Sequence, residues 1–138
     1  MTRILVVDDD ESVGFAIKTV LETAGYEISY APDCMSGLTA IKEAEYGVLM
    51  VDLFMPGIDG LETIKAFRQI KPDVPIIAIS GFVSRDGHGR APDFLAMATK
   101  LGANRALAKP FRPRDLLQAV EECLAEPTGR ATLQATAI

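Results

Sequence analysis

The chain has 138 residues, of which 49% are hydrophobic and 24% are charged, and its formal net charge is −5. This length and composition are typical of one folded domain with its own apolar core, and they exclude a wholly disordered chain. The acidic balance and the lack of clustered Lys and Arg argue against a partner bound through a nucleic-acid backbone.

No apolar run approaches the roughly 20 residues that a membrane-spanning helix needs. The first residues lead directly into a strand pattern, without the apolar region and cleavage site of a signal peptide. We therefore expect a cytoplasmic protein with no membrane partner. Cys34 and Cys123 lie far apart and lack metal-ligand spacing, so two reduced thiols are expected.

Five apolar runs, each followed by a pattern of helical spacing, predict the fold. The predicted strands cover residues 4–7, 26–30, 48–51, 76–79 and 106–108. The helices that follow are expected to begin at Asp10 or Ser12, Pro32-Asp33, Asp59, Ala91 and Arg114. Gly25 and Gly102 are expected to end the first and the fourth helix. Five strand-then-helix units predict a parallel sheet with helices on both faces.

The third predicted strand is the most informative stretch. Residues 48–51 are all apolar and run straight into Asp52, with a Pro56-Gly57 turn soon after. A short apolar run bounded by turn signals is typical of a strand buried on both faces, as in a parallel sheet. Asp52 then lies at the carboxyl end of the strand, where ligands collect in open α/β sheets. Taken alone, Asp52 could equally be a polar strand terminus.

Polar side chains follow four of the five predicted strands. They are Asp8 and Asp9, Asp52, Ser80 and Lys109, in strand order one, three, four and five. Because the carboxyl ends of parallel strands share one edge of the sheet, these groups are expected to converge. Three carboxylates repel one another unless a cation is present, and oxygen ligands with room for water suit Mg²⁺. A carboxylate can also be the nucleophile in phosphoryl transfer, with a lysine and a hydroxyl contacting the phosphoryl oxygens.

With these motifs the chain resembles the receiver domain of response regulators in two-component signalling, of the chemotaxis-receiver type. The matching motifs are VVDDD at 6–10, VDLFMPGIDG at 51–60, ISG at 79–81, Gly102-Ala103 and KPF at 109–111. The resemblance covers residues 3–125. It implies a flavodoxin-like three-layer α/β fold, a doubly wound five-stranded parallel sheet of order 2-1-3-4-5 with five helices. We expect a receiver domain over residues 1–125 and a flexible C-terminal tail over 126–138.

The resemblance also implies roles for single residues. Asp52 is the implied phosphoacceptor, which takes a phosphoryl group from a histidine kinase or a histidine phosphotransfer protein. The implied Mg²⁺ ligands are Asp8, Asp9, Asp52 and the backbone carbonyl of Phe54. Ser80 and Lys109 would contact the phosphoryl oxygens, and the Lys109-Pro110 bond resembles the cis peptide of the family.

Phosphorylation would then shift a pre-existing equilibrium of the fourth helix and fifth strand. The chain would be a stand-alone signalling switch and no enzyme beyond its own phosphotransfer and dephosphorylation. The downstream target stays open, and so does a homodimer formed on phosphorylation.

The chain departs from the family pattern in three places. The family has an aromatic residue three positions before the lysine, where this chain has Ala106, so we hypothesise that the signal passes through the loop after Ser80 and through Phe82. Residues 82–90 are an insertion, either a tolerated surface loop or a loop that contacts a partner. The bulky Phe54 is expected to shield the acyl phosphate from water.

Three alternatives are weighed against the receiver. A phosphate-independent receiver-like adaptor would not need the intact set of Asp52, Ser80 and Lys109. A Mg²⁺-dependent phosphatase with an aspartyl nucleophile needs a second acid two residues later, where Phe54 stands. An FMN-binding flavodoxin needs a Ser/Thr/Gly-rich loop after the first strand, where the three aspartates at 8–10 would repel the phosphate.

Overall fold

The structure is a computed structural model and describes residues 2–53, 60–80 and 91–125, the last range with side chains from residue 96 onward. Within these ranges five strands alternate with five helices. In chain order they are β1 (Arg3–Val7), α1 (Glu11–Thr23), β2 (Glu27–Ala31), α2 (Cys34–Glu43), β3 (Val48–Asp52), α3 (Gly60–Ile70), β4 (Ile76–Ser80), α4 (Ala91–Leu101), β5 (Arg105–Ala108) and α5 (Pro113–Ala125).

The five strands form one parallel sheet in the order β2-β1-β3-β4-β5. Strand β1 pairs with β2 on one side and with β3 on the other, so the strand order reverses at β1. Every residue of β3 and β4 is buried, as the continuous apolar runs predict. The predicted doubly wound α/β fold is confirmed.

The sheet separates two apolar cores, because successive side chains of a strand point to opposite faces. On β1, Leu5 and Val7 pack in a core with α2, α3 and α4, whereas Ile4 and Val6 pack in a core with α1 and α5. The structure is thus a three-layer sandwich with three helices on one face and two on the other.

Two predicted helix starts are confirmed by side-chain caps. Asp10, rather than Ser12, is the N-cap of α1, and its carboxylate accepts hydrogen bonds from the amides of Ser12 and Val13. Asp33 caps α2 by accepting from the amide of Ser36 at 2.7 Å. An aspartate at such a position pairs amides that would otherwise lack a partner within the helix.

The predicted boundaries hold to within one residue at the strands and at the helix ends that glycine marks. Gly25 and Gly102 follow α1 and α4 with φ of +100° and +126°, a backbone region that favours glycine. Strand β2 lies one residue later than predicted, and α5 is one residue longer at each end. The predicted cap Asp59, the loop at 82–90 and the tail at 126–138 lie outside the described residues.

The buried side of α3 does not include its last apolar residue. The three-residue spacing of Leu61, Ile64, Phe67 and Ile70 suggests a single buried side, but Ile70 is 36% exposed. Each step of three residues turns the helix short of a full turn by about 60°, so Ile70 lies opposite Leu61. On α5 the apolar residues Leu116, Leu117, Val120 and Leu124 all lie in or against the core beneath α1 and α5, as their spacing predicts. The buried residues there are Leu116, Ala119, Val120 and Cys123, because the smaller Ala and Cys complete the helical spacing.

Both cysteines are buried and free. In the described ranges no helix has the length and apolar character to cross a membrane.

Arg68, on α3, joins three parts of the chain through its guanidinium. It donates hydrogen bonds to the carbonyls of Lys71, Pro72, Val74 and Gly102 and to the side-chain oxygen of Asn104. The same Asn104 oxygen accepts from the amide of Ile76, the first residue of β4. The arginine therefore holds the end of α3 to the start of β4 and to the turn after α4.

We predict that Arg68→Ala lowers the free energy of unfolding by about 2 kcal/mol or more, because several carbonyls lose a charged donor at once. Urea denaturation measures this change. The matched control is Lys65→Ala on the same helix, whose ion pair with Glu62 at 3.8 Å is exposed. That control should change stability by about 0.5 kcal/mol at most. Equal effects of the two substitutions would contradict the prediction.

Candidate functional site

The carboxyl edge of the sheet brings the predicted site residues together. Asp52 and Ser80 are the last residues of β3 and β4, and Asp8 and Lys109 directly follow β1 and β5. Asp8 and Ser80 are fully buried and Asp52 is 4% exposed, while Asp9 faces solvent. The structure thus brings the side chains of Asp8, Asp9, Asp52 and Lys109 together, and it places Ser80 at the end of the strand next to Asp52. The roles assigned to these residues stay predictions.

Lys109 lies between two buried carboxylates. Its ammonium nitrogen is 3.2 Å from Oδ2 of Asp8 and 3.8 Å from Oδ2 of Asp52. Its amide donates to the carbonyl of Ser80 at 2.8 Å, which extends the pairing of β4 and β5 beyond the strands. The peptide bond from Lys109 to Pro110 is cis, as the resemblance implied. The ammonium offsets part of the negative charge that burial makes unfavourable.

The three aspartates form a cluster of oxygen ligands. One carboxylate oxygen each from Asp8, Asp9 and Asp52 lies within 4.8 Å of the others. Mg²⁺ takes oxygen ligands in octahedral geometry and usually keeps several waters, so one or two carboxylates with an open side suit it. The cluster carries more negative charge than Lys109 neutralises, which also favours a divalent cation. These donors fit the Mg²⁺ site that the sequence predicts.

The Ser80 hydroxyl is a buried polar group without a hydrogen-bond partner in the described part of the chain. Burying a hydroxyl without a partner is unfavourable, and such groups are rare in folded proteins. Ser80 belongs to the strand next to Asp52, since the amide of Leu53 donates to the carbonyl of Ile79 at 2.8 Å.

The sequence prediction found nothing of chemical interest on the second strand, and there it missed a contact. The hydroxyl of Tyr30 on β2 donates to the backbone carbonyl of Asp8 at 2.5 Å. Burial raises the pKa of Tyr30, and the nearby carboxylates of Asp8, Glu11, Asp9 and Asp10 raise it further. The tyrosine is therefore a protonated donor at neutral pH. No residue pattern in the sequence marks this contact, because its acceptor is a backbone carbonyl 22 residues away.

Asp10 follows Asp8 and Asp9 in the chain, but its carboxylate caps α1. The Ser12 hydroxyl donates to its carboxylate at 2.6 Å, and this bond, with those from the Val13 and Ser12 amides, lowers the pKa of Asp10. Its own amide donates to Oδ1 of Asp8 at 2.9 Å. Asp10 thus caps α1 and helps to hold the Asp8 side chain.

An apolar groove of about 520 Å³ lies between α1 and α5 and reaches the site at Lys109. Its apolar lining consists of Val13, Ala16, Ile17, Val20, Pro110, Phe111, Pro113 and Leu116. A partner that bound in this groove would contact Lys109.

Three of the sequence predictions concern residues for which the structure gives no contacts. Phe54, whose carbonyl is an implied Mg²⁺ ligand, and Phe82, in the hypothesis on signal transmission, lie outside the described residues. The insertion at 82–90, which carries the chain's single histidine, also lies outside them. Ala106, in place of the usual aromatic residue, is exposed on β5.

Comparisons with known proteins agree with this geometry. The family model of the response regulator receiver domain matches residues 4–121. The chain is 30% identical over 131 residues to the transcriptional regulatory protein FixJ of Bradyrhizobium diazoefficiens, an alignment that covers 94% of this chain and 60% of FixJ. It is 31% identical over 127 residues to the response regulator receiver protein CpdR of Brucella abortus, covering 90% of this chain and 98% of CpdR.

Among solved structures, the chemotaxis protein CheY4 of Vibrio cholerae superposes with a TM-score of 0.79 at 30% identity, over 90% of this chain and 99% of that one. The sheet order, the aspartate cluster and the family match over most of the sequence lead to one conclusion. The chain belongs to the response regulator receiver domain family of two-component signalling.

Proposed function

We propose that the protein is a phosphorylation switch, which accepts a phosphoryl group on Asp52 from a histidine kinase or a histidine phosphotransfer protein. The observation that carries the proposal is the setting of Asp52. Its carboxylate is buried at the end of β3, 3.8 Å from the ammonium of Lys109. Ser80 ends the neighbouring strand, and its hydroxyl has no hydrogen-bond partner among the described residues. These are the nucleophile, the cation and the donor that phosphoryl transfer to a carboxylate needs.

In the reaction, a carboxylate oxygen of Asp52 attacks the phosphorus of the donor's phosphohistidine. The new P–O bond forms as the P–N bond breaks, and the imidazole nitrogen keeps the electron pair and takes up a proton. Mg²⁺ held by Asp8, Asp9 and Asp52 would supply the charge that offsets the carboxylates and the phosphoryl oxygens. Lys109 is close enough to exchange its bond with Asp52 for one with a phosphoryl oxygen, and Ser80 can donate to another.

The proposal also covers the surface that a protein donor would contact and the substrates of the protein. The groove between α1 and α5 offers a protein donor an apolar contact area that includes the site residue Lys109. The chain spans 98% of the length of CpdR and only 60% of the length of FixJ. Action as a stand-alone receiver stays a prediction. We propose that the protein has no substrate of its own beyond the phosphoryl group. Its cytoplasmic location stays a prediction.

Intact-mass measurement after incubation with acetyl phosphate and MgCl₂ tests the proposal directly. We expect the wild-type chain to gain one phosphoryl group, and we expect no gain in Asp52→Asn or in the presence of EDTA. Asp33→Asn is the matched control, because asparagine caps a helix as well as aspartate does and Asp33 lies outside the cluster.

A wild-type chain that neither gains mass nor binds beryllofluoride, a phosphoryl mimic, would overturn the phosphoacceptor role. That result would favour the phosphate-independent adaptor.

Ser80→Ala separates a functional hydroxyl from a structural one. Because the hydroxyl has no partner in the described part of the chain, its removal should not lower the free energy of unfolding in urea. Phosphorylation by acetyl phosphate should nevertheless slow roughly tenfold, the equivalent of one lost hydrogen bond to a charged group. Ser80→Thr keeps a hydroxyl and should retain most of the rate. A rate unchanged in the alanine variant would remove Ser80 from the proposed mechanism.

We expect Mg²⁺ to stabilise the folded chain and this stabilisation to require the Asp9 carboxylate. Thermal unfolding followed by circular dichroism should show that MgCl₂ stabilises the wild-type chain relative to EDTA, since a ligand that binds the folded state raises its stability. Asp9→Asn should lose this gain, yet be at least as stable as the wild type in EDTA, because it relieves repulsion within the cluster.

The neighbouring variant Asp10→Asn keeps a capping side chain and should keep the gain from MgCl₂. Equal gains in the wild type and Asp9→Asn would count against Asp9 as a ligand.

A further inference from the structure

Tyr30 contacts the site from β2, a strand at the edge of the sheet. Residues Tyr30 and Ala31 lie opposite Val6 and Val7 of β1. The carbonyl of Ala31 accepts the amide of Asp8 at 3.1 Å, and the hydroxyl of Tyr30 donates to the carbonyl of Asp8 at 2.5 Å. Both backbone polar groups of Asp8 are therefore held by the same edge strand.

The carbonyl that Tyr30 holds belongs to the peptide group between Asp8 and Asp9. A peptide group is planar, so fixing its oxygen fixes the direction in which the chain leaves Asp8. Asp9 follows this peptide group in the chain, and its carboxylate belongs to the cluster. The Tyr30 hydroxyl thus constrains, through the backbone, the relative placement of two of the three clustered carboxylates.

The ring of Tyr30 reaches this position because residue 14 has no side chain. Gly14 is buried in α1, and a Cβ atom added there would lie 2.8 Å from Cδ1 of Tyr30 and closer still to its Cε1. Real Cβ atoms do not approach other atoms so closely, so any larger residue would displace the ring. Glycine inside a helix is unfavourable by about 1 kcal/mol relative to alanine, and here it makes room for the tyrosine.

We propose that Tyr30 and Gly14 form a positioning pair, which orients the Asp8–Asp9 peptide and thereby sets the affinity of the aspartate cluster for Mg²⁺. This inference rests on the proposed function, because it assigns the cluster to that cation. Partners that orient metal ligands from outside the coordination shell commonly change metal affinity tenfold or more when they are removed. The pair depends on the packing of α1 against β2, which places Gly14 against the Tyr30 ring.

Titration of the ¹⁵N-labelled chain with MgCl₂, followed by two-dimensional NMR, measures the dissociation constant in the folded protein. We expect Tyr30→Phe, which keeps the ring and removes the hydroxyl, to bind Mg²⁺ roughly tenfold more weakly. Its stability in EDTA should fall only slightly. The control Tyr26→Phe removes a tyrosine hydroxyl near the other end of β2, where the ring packs against the α1–α5 core, and should bind Mg²⁺ as the wild type does.

A merely structural role for Tyr30 would lower stability but leave the dissociation constant of the folded chain unchanged. Gly14→Ala provides a second test, since the new methyl group should displace the ring and weaken Mg²⁺ binding to a similar extent. In the double variant with Tyr30→Phe, Gly14→Ala should add no further loss, because the hydroxyl that it displaces is already absent.

Three results would overturn the positioning pair. One is a wild-type dissociation constant in Tyr30→Phe, another is the same loss in Tyr26→Phe, and the third is additive losses in the double variant. These outcomes leave the proposed function intact, provided that the wild type binds Mg²⁺. A wild-type chain that does not bind Mg²⁺ would overturn both the pair and the metal-dependent part of the proposed function.

Discussion

The repulsion among three carboxylates at one edge of the sheet is the constraint on which the site depends. Asp8 and Asp52 are buried, Asp9 is close to both, and in the described part of the structure Lys109 is the cation that contacts the two buried ones. One ammonium group cannot neutralise three carboxylates. The described contacts thus leave negative charge at the site unbalanced, and within the same residue ranges the Ser80 hydroxyl has no hydrogen-bond partner. A cation and a phosphoryl group would satisfy both needs together, which is the physical basis for the proposed switch.

The fold can hold such a cluster because its stability comes from elsewhere. Strands β3 and β4 are wholly buried between the two apolar cores. At the opposite, amino ends of the strands, Arg68 donates hydrogen bonds to the segment before β4 and to the turn after α4. The site residues sit at the ends of these rigid strands, with a backbone bond from Lys109 to Ser80 and another from Asp8 to Ala31. Their positions are thus set by the sheet and not by attraction among themselves.

Sequence reasoning predicted those parts of the structure that depend on local pattern or on strand order. Apolar runs predict buried parallel strands, and the carboxyl ends of such strands meet at one edge, so Asp52, Ser80 and Lys109 could be brought together without coordinates. It was harder to predict which side chains of a helix are buried. A repeated spacing of three residues, as from Leu61 to Ile70, falls short of the helical period and moves around the helix. The Tyr30 hydroxyl and the Arg68 guanidinium bind backbone carbonyls 22 and 34 residues away in the chain, and no residue pattern marks a carbonyl as an acceptor.

The absence of the usual aromatic residue changes how a signal could leave the site. Ala106 is exposed on β5 and its methyl group is too small to move between a buried and an exposed position as a ring does. Lys109 and Ser80 are joined by a backbone hydrogen bond, and Lys109 leads directly to Pro110 and Phe111, which line the groove between α1 and α5. A phosphoryl group that drew in both side chains would pull on the end of β4 and on the start of this loop together. The described contacts therefore link the ends of β4 and β5 beside Asp52 to residues that line the groove.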